Sequence, residues 1–187
     1  MIRMIATDMD GTLLDSRKRM PQDLERVAAA LAGRGVTLIA ASGRQYNSLV
    51  RDFGSMAEHM AFIAENGALV MEGGRRLFIE ALAAEDLAEI LQAAKGLEGV
   101  YPVICRAGGA MVEESSSESF IRMMRMYYED TQVVPSLVGC CAEFDDVCKI
   151  AFYDEGDAAA HLLPVALYSV LTASVAVFCF LRQMKKQ

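Results

Sequence analysis

The chain has little from which a metal–sulfur site or a disulfide framework could be built. Its five cysteines include the adjacent Cys140 and Cys141 but no CxxC spacing. Its two histidines, His59 and His161, have no Cys or His partner at ligand spacing and are expected to be structural or solvent-facing. A zinc site and a stapled secreted fold are thereby excluded as organising features, and a reducing, cytoplasmic setting is expected. Positive charge is also short: 18 Lys and Arg against 25 Asp and Glu give a formal net charge of -7. That balance provides no footprint for a nucleic-acid backbone, so no nucleic-acid partner is expected. It does not argue against a small anionic substrate, because a local site or a bound cation outweighs the global field. No secretory signal is expected, since the N-terminal run Met1-Ile-Arg-Met-Ile-Ala reaches an aspartate by position 8.

What is present suits a folded globular protein. Hydrophobic residues make up 53% and charged residues 23% of 187, enough for one good-sized domain or a core with a smaller insert. Apolar runs at Met1–Ala6, Val36–Ala41 and Ala61–Ala64 have the length of buried strands. Between them, Leu24, Val27, Ala28 and Leu31 fall on one helical face that Gly33 and Gly35 bring to an end, and Gln45–Phe53 reads as a second helix closed near Gly54. Apolar strands alternating with helices predict a parallel sheet covered on both faces. Right-handed crossovers then bring the strand ends, and the polar clusters at 8–12, 42–44 and 65–67, to one edge, where ligands bind in such sheets. A hairpin is predicted across Glu72-Gly-Gly-Arg75, followed by a helix at 84–94, strands at 101–105 and 110–113, a helix at 117–128 and a strand at 147–153. In the 117–128 helix Phe120, Met123, Met124 and Tyr127 form the packing face, while Glu113-Glu114 and Asp145-Asp146 read as solvated faces or turns. The α/β unit after the hairpin reads as a cap, giving segments 1–82 (core), 83–167 (cap) and 168–187 (an atypical apolar tail).

The chemistry concentrates at Asp8-Met-Asp10-Gly11-Thr12. Two carboxylates at a strand end, one residue apart, repel each other unless a cation or a shared proton relieves them. An oxygen-rich place of that kind suits Mg2+. One carboxylate is then placed to attack phosphorus while its neighbour moves protons. Ser42-Gly43-Arg44 offers a hydroxyl, room for close approach and backbone N–H groups at a helix start, which suits a phosphate, although an ordinary cap and turn also explains it. Asn66-Gly67 is equally compatible with a plain turn.

These residues resemble a known family. Asp8-Met-Asp10-Gly11-Thr12-Leu-Leu resembles the first motif of the haloacid dehalogenase-like hydrolases. Ile39-Ala-Ala-Ser42-Gly43-Arg44 and Ala64-Glu-Asn66-Gly67-Ala resemble, more narrowly, its Cof-type sugar-phosphate phosphatase branch. The resemblance implies a Rossmann-like parallel sheet core, incomplete on its C-terminal side, with an inserted α/β cap. It implies Asp8 as nucleophile and magnesium ligand, and Asp10 as general acid and base whose carbonyl also touches the metal. Thr12 would orient Asp10, Ser42 and the Gly43 amide would hold the phosphoryl group, and Arg44 and Asn66 would lie toward a small phosphorylated metabolite.

Two segments of that family are missing. Such proteins carry, after the cap, a lysine that steadies the nucleophile and a Gly-Asp-x-x-Asn-Asp-like segment with further metal carboxylates. Lys149 falls in a cap strand, and Gly156-Asp157-Ala-Ala-Ala lacks the second acidic pair. The chain thus reads as truncated after the cap, with an exposed sheet edge as the consequence. From Leu162 to Leu181 there is no charged residue, which meets the length and polarity of a membrane span. Two functional readings stand: a Mg2+-dependent phosphatase of impaired activity, or a non-catalytic remnant, free or membrane-tethered. A receiver-like signalling domain fits less well, because its acceptor aspartate is not followed by Asp-Gly-Thr.

Overall fold

A computed structural model describes residues 2–128 and 130–156. It contains two sheets. The first has five strands in the order β1 (Met4–Asp8), β2 (Thr37–Ala41), β3 (Met60–Ala64), β4 (Leu69–Glu72) and β5 (Arg75–Ile79). β1, β2 and β3 run parallel, and the β4–β5 hairpin closes the sheet antiparallel. The core is therefore Rossmann-like with a mixed sheet. Its crossover helices are α1 (Leu24–Ala32) and α2 (Tyr46–Phe53).

Both crossovers step across the sheet in the same direction, so right-handedness puts both helices on one face. Leu38, Ala40, Met60, Phe62 and Ala64 are buried with Leu24, Leu49 and Phe53 from the helices. Ile39 and Ile63, which alternate with them, remain half-buried, so among the described residues the two faces of the sheet are covered unequally. Phe62 is fully buried and meets Tyr46 and Phe53 edge-on, with ring centroids 5.7 and 5.5 Å away. Phe62→Ala should cost about 4 kcal/mol of unfolding free energy through lost transfer energy and the cavity left behind. Urea denaturation measures this, and a loss below about 1 kcal/mol would show that the three rings do not form the centre of the core.

β1 is the outermost strand of this sheet. Ile2, Met4 and Ile5 are 71%, 66% and 39% exposed, although their composition is that of a buried strand. This edge strand carries Asp8, and among the described residues nothing pairs with its outer side.

The second sheet orders β8 (Thr131–Val134), β7 (Gly109–Glu113), β6 (Val100–Arg106) and β9 (Val147–Asp154). Helices α3 (Ala84–Ala94) and α5 (Leu137–Cys140) share one apolar cluster with Ile104 and Met111. Helix α4 (Glu118–Tyr127) packs in a second cluster with Val103, Cys105 and Val112. This unit is cap-like in architecture. Within α4, Phe120 and Met124 are buried, but Tyr127 is 70% exposed rather than part of the packing face. The acidic pairs are also more engaged than expected. Glu113 accepts the Leu137 amide at 3.0 Å, capping α5. Asp146 pairs with Arg106 at 2.6 Å, and the guanidinium of Arg106 lies 3.8 Å from the centre of the Phe144 ring.

The sheets are joined by more than the connecting chain. The Leu82 amide donates to the Val147 carbonyl at 2.8 Å, and Cys148 packs into the first core. No described helix is long and apolar enough to cross a membrane. The proposed span 162–181, His161, Cys179 and the segment from Asp157 onward lie outside the described residues.

Candidate active site

The first carboxylate pair owes its placement to strand alternation. Met9 is fully buried, so Asp8 and Asp10 on either side of it both face outward. The chain then turns at once, as the Asp8 and Met9 carbonyls accept the amides of Leu13 (3.1 Å) and Leu14 (2.8 Å). Gly11 at φ +83° supplies the left-handed step. Leu14, 5% exposed, returns to the core and anchors the loop.

The second and third clusters interlock. The Ser42 amide donates to the Ile63 carbonyl (2.9 Å), and the amides of Glu65 and Asn66 donate back to the carbonyls of Arg44 (3.1 Å) and Ser42 (3.3 Å). Glu65 and Asn66 reach that geometry with φ of +51° and +59°, a left-handed pair without glycine. A Cβ at residue 43 would sit 2.4 Å from the Asn66 side-chain oxygen, so any larger residue here would displace the Asn66 amide. Ser42 Oγ accepts the Arg44 amide at 3.2 Å.

Arg44 joins the clusters to one another. Its Nη2 lies 3.0 Å from Asp10 Oδ1 and its Nη1 lies 2.9 Å from Asp52. Lys18 contacts the same Asp10 oxygen at 2.6 Å. The Lys18 hydrogen bond, with the charges of Arg44 and Lys18 added and slight burial opposing, holds the Asp10 carboxyl below the usual carboxylate range. Lys18→Met should therefore let the Asp10 pKa rise, as read by a side-chain carbonyl NMR titration. An unchanged value would show that Lys18 does not govern this carboxylate.

The structure thus brings Asp10, Ser42, Gly43, Arg44 and Asn66 into one connected set, with Asp8 at the adjacent strand end. Thr12 is exposed, and among the described residues Asp10 is held by Lys18 and Arg44 rather than by Thr12. Two contributors went unread in the sequence, Lys18 and Asp52, while Glu65 lay inside the expected 65–67 cluster with no role of its own. Lys18 sits in the basic run Arg17-Lys-Arg19 directly after the aspartates, which is the only local signal either of these two gave. Lys149 does lie in a strand of the second sheet, yet its Nζ reaches Glu65 Oε2 at 2.6 Å and the Gly43 carbonyl at 2.8 Å.

With this geometry in place, comparison with known proteins is informative. The family described as haloacid dehalogenase-like hydrolase matches residues 5–158. That is most of the chain. The protein belongs to the haloacid dehalogenase-like hydrolases. The chain is similar to the 5-amino-6-(5-phospho-D-ribitylamino)uracil phosphatase YbjI of Escherichia coli, at 29% identity over 136 residues. That match takes in 71% of this chain and 49% of the relative, so the chain spans about half of that enzyme's length. Among solved structures, SMU.1108c from Streptococcus mutans aligns with a TM-score of 0.63 and 25% identity, over 73% of this chain and 52% of the other. TM0651 from Thermotoga maritima aligns with a TM-score of 0.68 and 22% identity, over 89% of this chain and 61% of the other, which supports the fold alone.

The family's usual cation tests the donor set. Mg2+ demands six oxygens in near-octahedral array. Among the described residues no three acidic, histidine or cysteine side chains converge, and the Asp10 carboxylate already faces two cations. The described residues of the chain therefore do not fit a pre-assembled Mg2+ site.

Proposed function

We propose that this hydrolase is a phosphatase of the Cof-type branch, acting on small phosphomonoesters such as sugar phosphates through an aspartyl-phosphate. The observation that carries the reading is the Arg44–Asp10 pair, which ties the Asp-Met-Asp strand end to the Ser42–Arg44 loop. Asp8 attacks phosphorus, an Oδ–P bond forms, and the ester P–O bond breaks toward the leaving alkoxide. Asp10 gives that oxygen a proton, then takes one from the water that cleaves the aspartyl-phosphate, releasing orthophosphate and restoring Asp8. An aspartate held ionised by two cations is a poor acid. The substrate phosphate resolves this by offering Lys18 and Arg44 a second anion, which frees Asp10 to carry the proton.

A cleft of about 410 Å3 lies beside this loop, between the start of α2 and the end of α4, lined by Arg44, Gln45, Ser48, Tyr128 and Lys149 among others. Gln45 is 6% exposed, and its amide nitrogen has no hydrogen-bond partner. An unpaired buried donor suits a polar, oxygen-rich leaving group such as a sugar. The phosphorylated ribityl compound for which the Escherichia coli relative is named fits the same class.

The ion pairing of Asp10 and the absence of a third acidic ligand among the described residues favour a second reading, a non-catalytic remnant. The full chain with Mg2+, p-nitrophenyl phosphate and a panel of sugar phosphates separates the two. Phosphate release above that of an Asp8→Asn control is expected, and equal rates in both proteins would overturn the phosphatase reading.

A further inference from the structure

Lys149 comes from the first half of β9, opposite Cys105 in the second sheet, yet its ammonium ends inside the polar edge of the first. There it meets two groups. Glu65 presents a carboxylate whose side chain is 1% exposed, and Lys149 is the cation set against it. Gly43 presents its carbonyl, which accepts from Lys149 Nζ at 2.8 Å.

The carbonyl contact has a consequence that an ion pair alone would not have. A peptide unit is planar and trans, so its C=O and the following N–H point in opposite directions. Fixing the Gly43 carbonyl toward Lys149 therefore aims the Arg44 N–H away from Lys149, and that N–H donates to Ser42 Oγ at 3.2 Å. A hydroxyl has one hydrogen to give and two lone pairs to receive. With the Arg44 amide on one lone pair, the hydroxyl hydrogen of Ser42 stays available to a phosphoryl oxygen.

We infer that Lys149 is a positioning residue that sets the Ser42 hydroxyl through the Gly43–Arg44 peptide, so that the seating of the second sheet controls the phosphate-holding loop of the first. Glu65 is the counter-ion that retains Lys149 at this point. Its own left-handed turn and the Glu65 and Asn66 amides bind the far side of the same loop. The assignment rests on the phosphatase reading for its catalytic meaning, but the peptide geometry is testable without turnover.

The test uses the full chain as wild type, Lys149→Met, Lys149→Arg, Ser42→Ala, the Ser42→Ala/Lys149→Met pair, and Glu65→Gln/Lys149→Met, which leaves no buried charge behind. Amide exchange read by NMR should be about tenfold faster at Arg44 in Lys149→Met and in Glu65→Gln/Lys149→Met, with the β2 amides of Leu38 to Ala40 unchanged. Hydrolysis of p-nitrophenyl phosphate should fall by about tenfold in kcat for Lys149→Met, with KM moving less than about threefold, and Lys149→Arg should recover most of it. In the Ser42→Ala background Lys149→Met should cause no further fall, because its effect passes through that hydroxyl. Unchanged Arg44 exchange in a folded Glu65→Gln/Lys149→Met protein would overturn the inference. So would losses from Ser42→Ala and Lys149→Met that simply multiply. If the wild type releases no phosphate, the phosphatase reading fails, and Arg44 exchange still decides the placement of Lys149.

Discussion

Asp8→Asn should reduce phosphomonoester hydrolysis by about 10^4-fold or more, with the fold unchanged. The amide keeps the size and shape of the carboxylate but cannot act as the anionic nucleophile. Asp8 is the last residue of β1 and is exposed, so its replacement removes no core contact. Its backbone carbonyl, which holds the turn through Leu13, is untouched by the change. Steady-state phosphate release and far-UV circular dichroism measure the two halves of the prediction. Acid-quenched protein incubated with labelled substrate should retain covalent label in the wild type and none in Asp8→Asn. A variant that keeps more than about a tenth of the wild-type rate would remove Asp8 from the nucleophile's role. Asp10→Asn should behave differently: its loss should grow with the basicity of the leaving alcohol, because a poor leaving group needs the proton most.

Lys149→Met should be the most destabilising single change at the polar edge, costing about 3 kcal/mol near neutral pH. Its target is Glu65, whose carboxylate is almost wholly buried and has Lys149 as its counter-ion. The pH dependence follows from the direction of the Glu65 shift. Burial raises its pKa in the folded protein, and Lys149 opposes that rise through hydrogen bonding and charge. A group whose folded pKa lies above its unfolded value gives up stability as pH climbs through the folded pKa. Removing Lys149 leaves burial unopposed, so the folded pKa moves higher still. The gap in melting temperature between wild type and Lys149→Met should therefore be small at pH 4, where Glu65 is largely protonated in both. It should widen toward pH 8, where the variant must bury a lone charge or take up a proton. Adding Glu65→Gln should flatten the dependence and return part of the stability. A gap independent of pH would show that Lys149 stabilises through packing of its aliphatic stem instead.

Most elements of the fold follow from local sequence. The helices α1, α2 and α3 and the strands of the first sheet sit within a few residues of where apolar periodicity and glycine punctuation place them. β8 and α5 escaped notice. Thr131–Val134 is a four-residue strand with no strong alternation, and it exists because it pairs parallel with β7. Covering one sheet face more than the other was likewise not legible, since apolar strands record burial but not which helices supply it.

The same division runs through the site. Sequence alone determined that Asp8, Asp10, the 42–44 loop and the 65–67 turn would lie at one sheet edge, because each ends or follows a strand and parallel strands with right-handed crossovers share an edge. Tertiary structure alone decided how those groups are held. Asp10 is gripped by Lys18 across a turn and by Arg44 from the neighbouring strand end. The Ser42 hydroxyl is set through a peptide held by Lys149, a residue 106 positions away along the chain. Strand and helix patterns arise from contacts a few residues apart, so a single sequence displays them. An ion pair between two sheets depends on where both strands finally come to rest, and no local period records that.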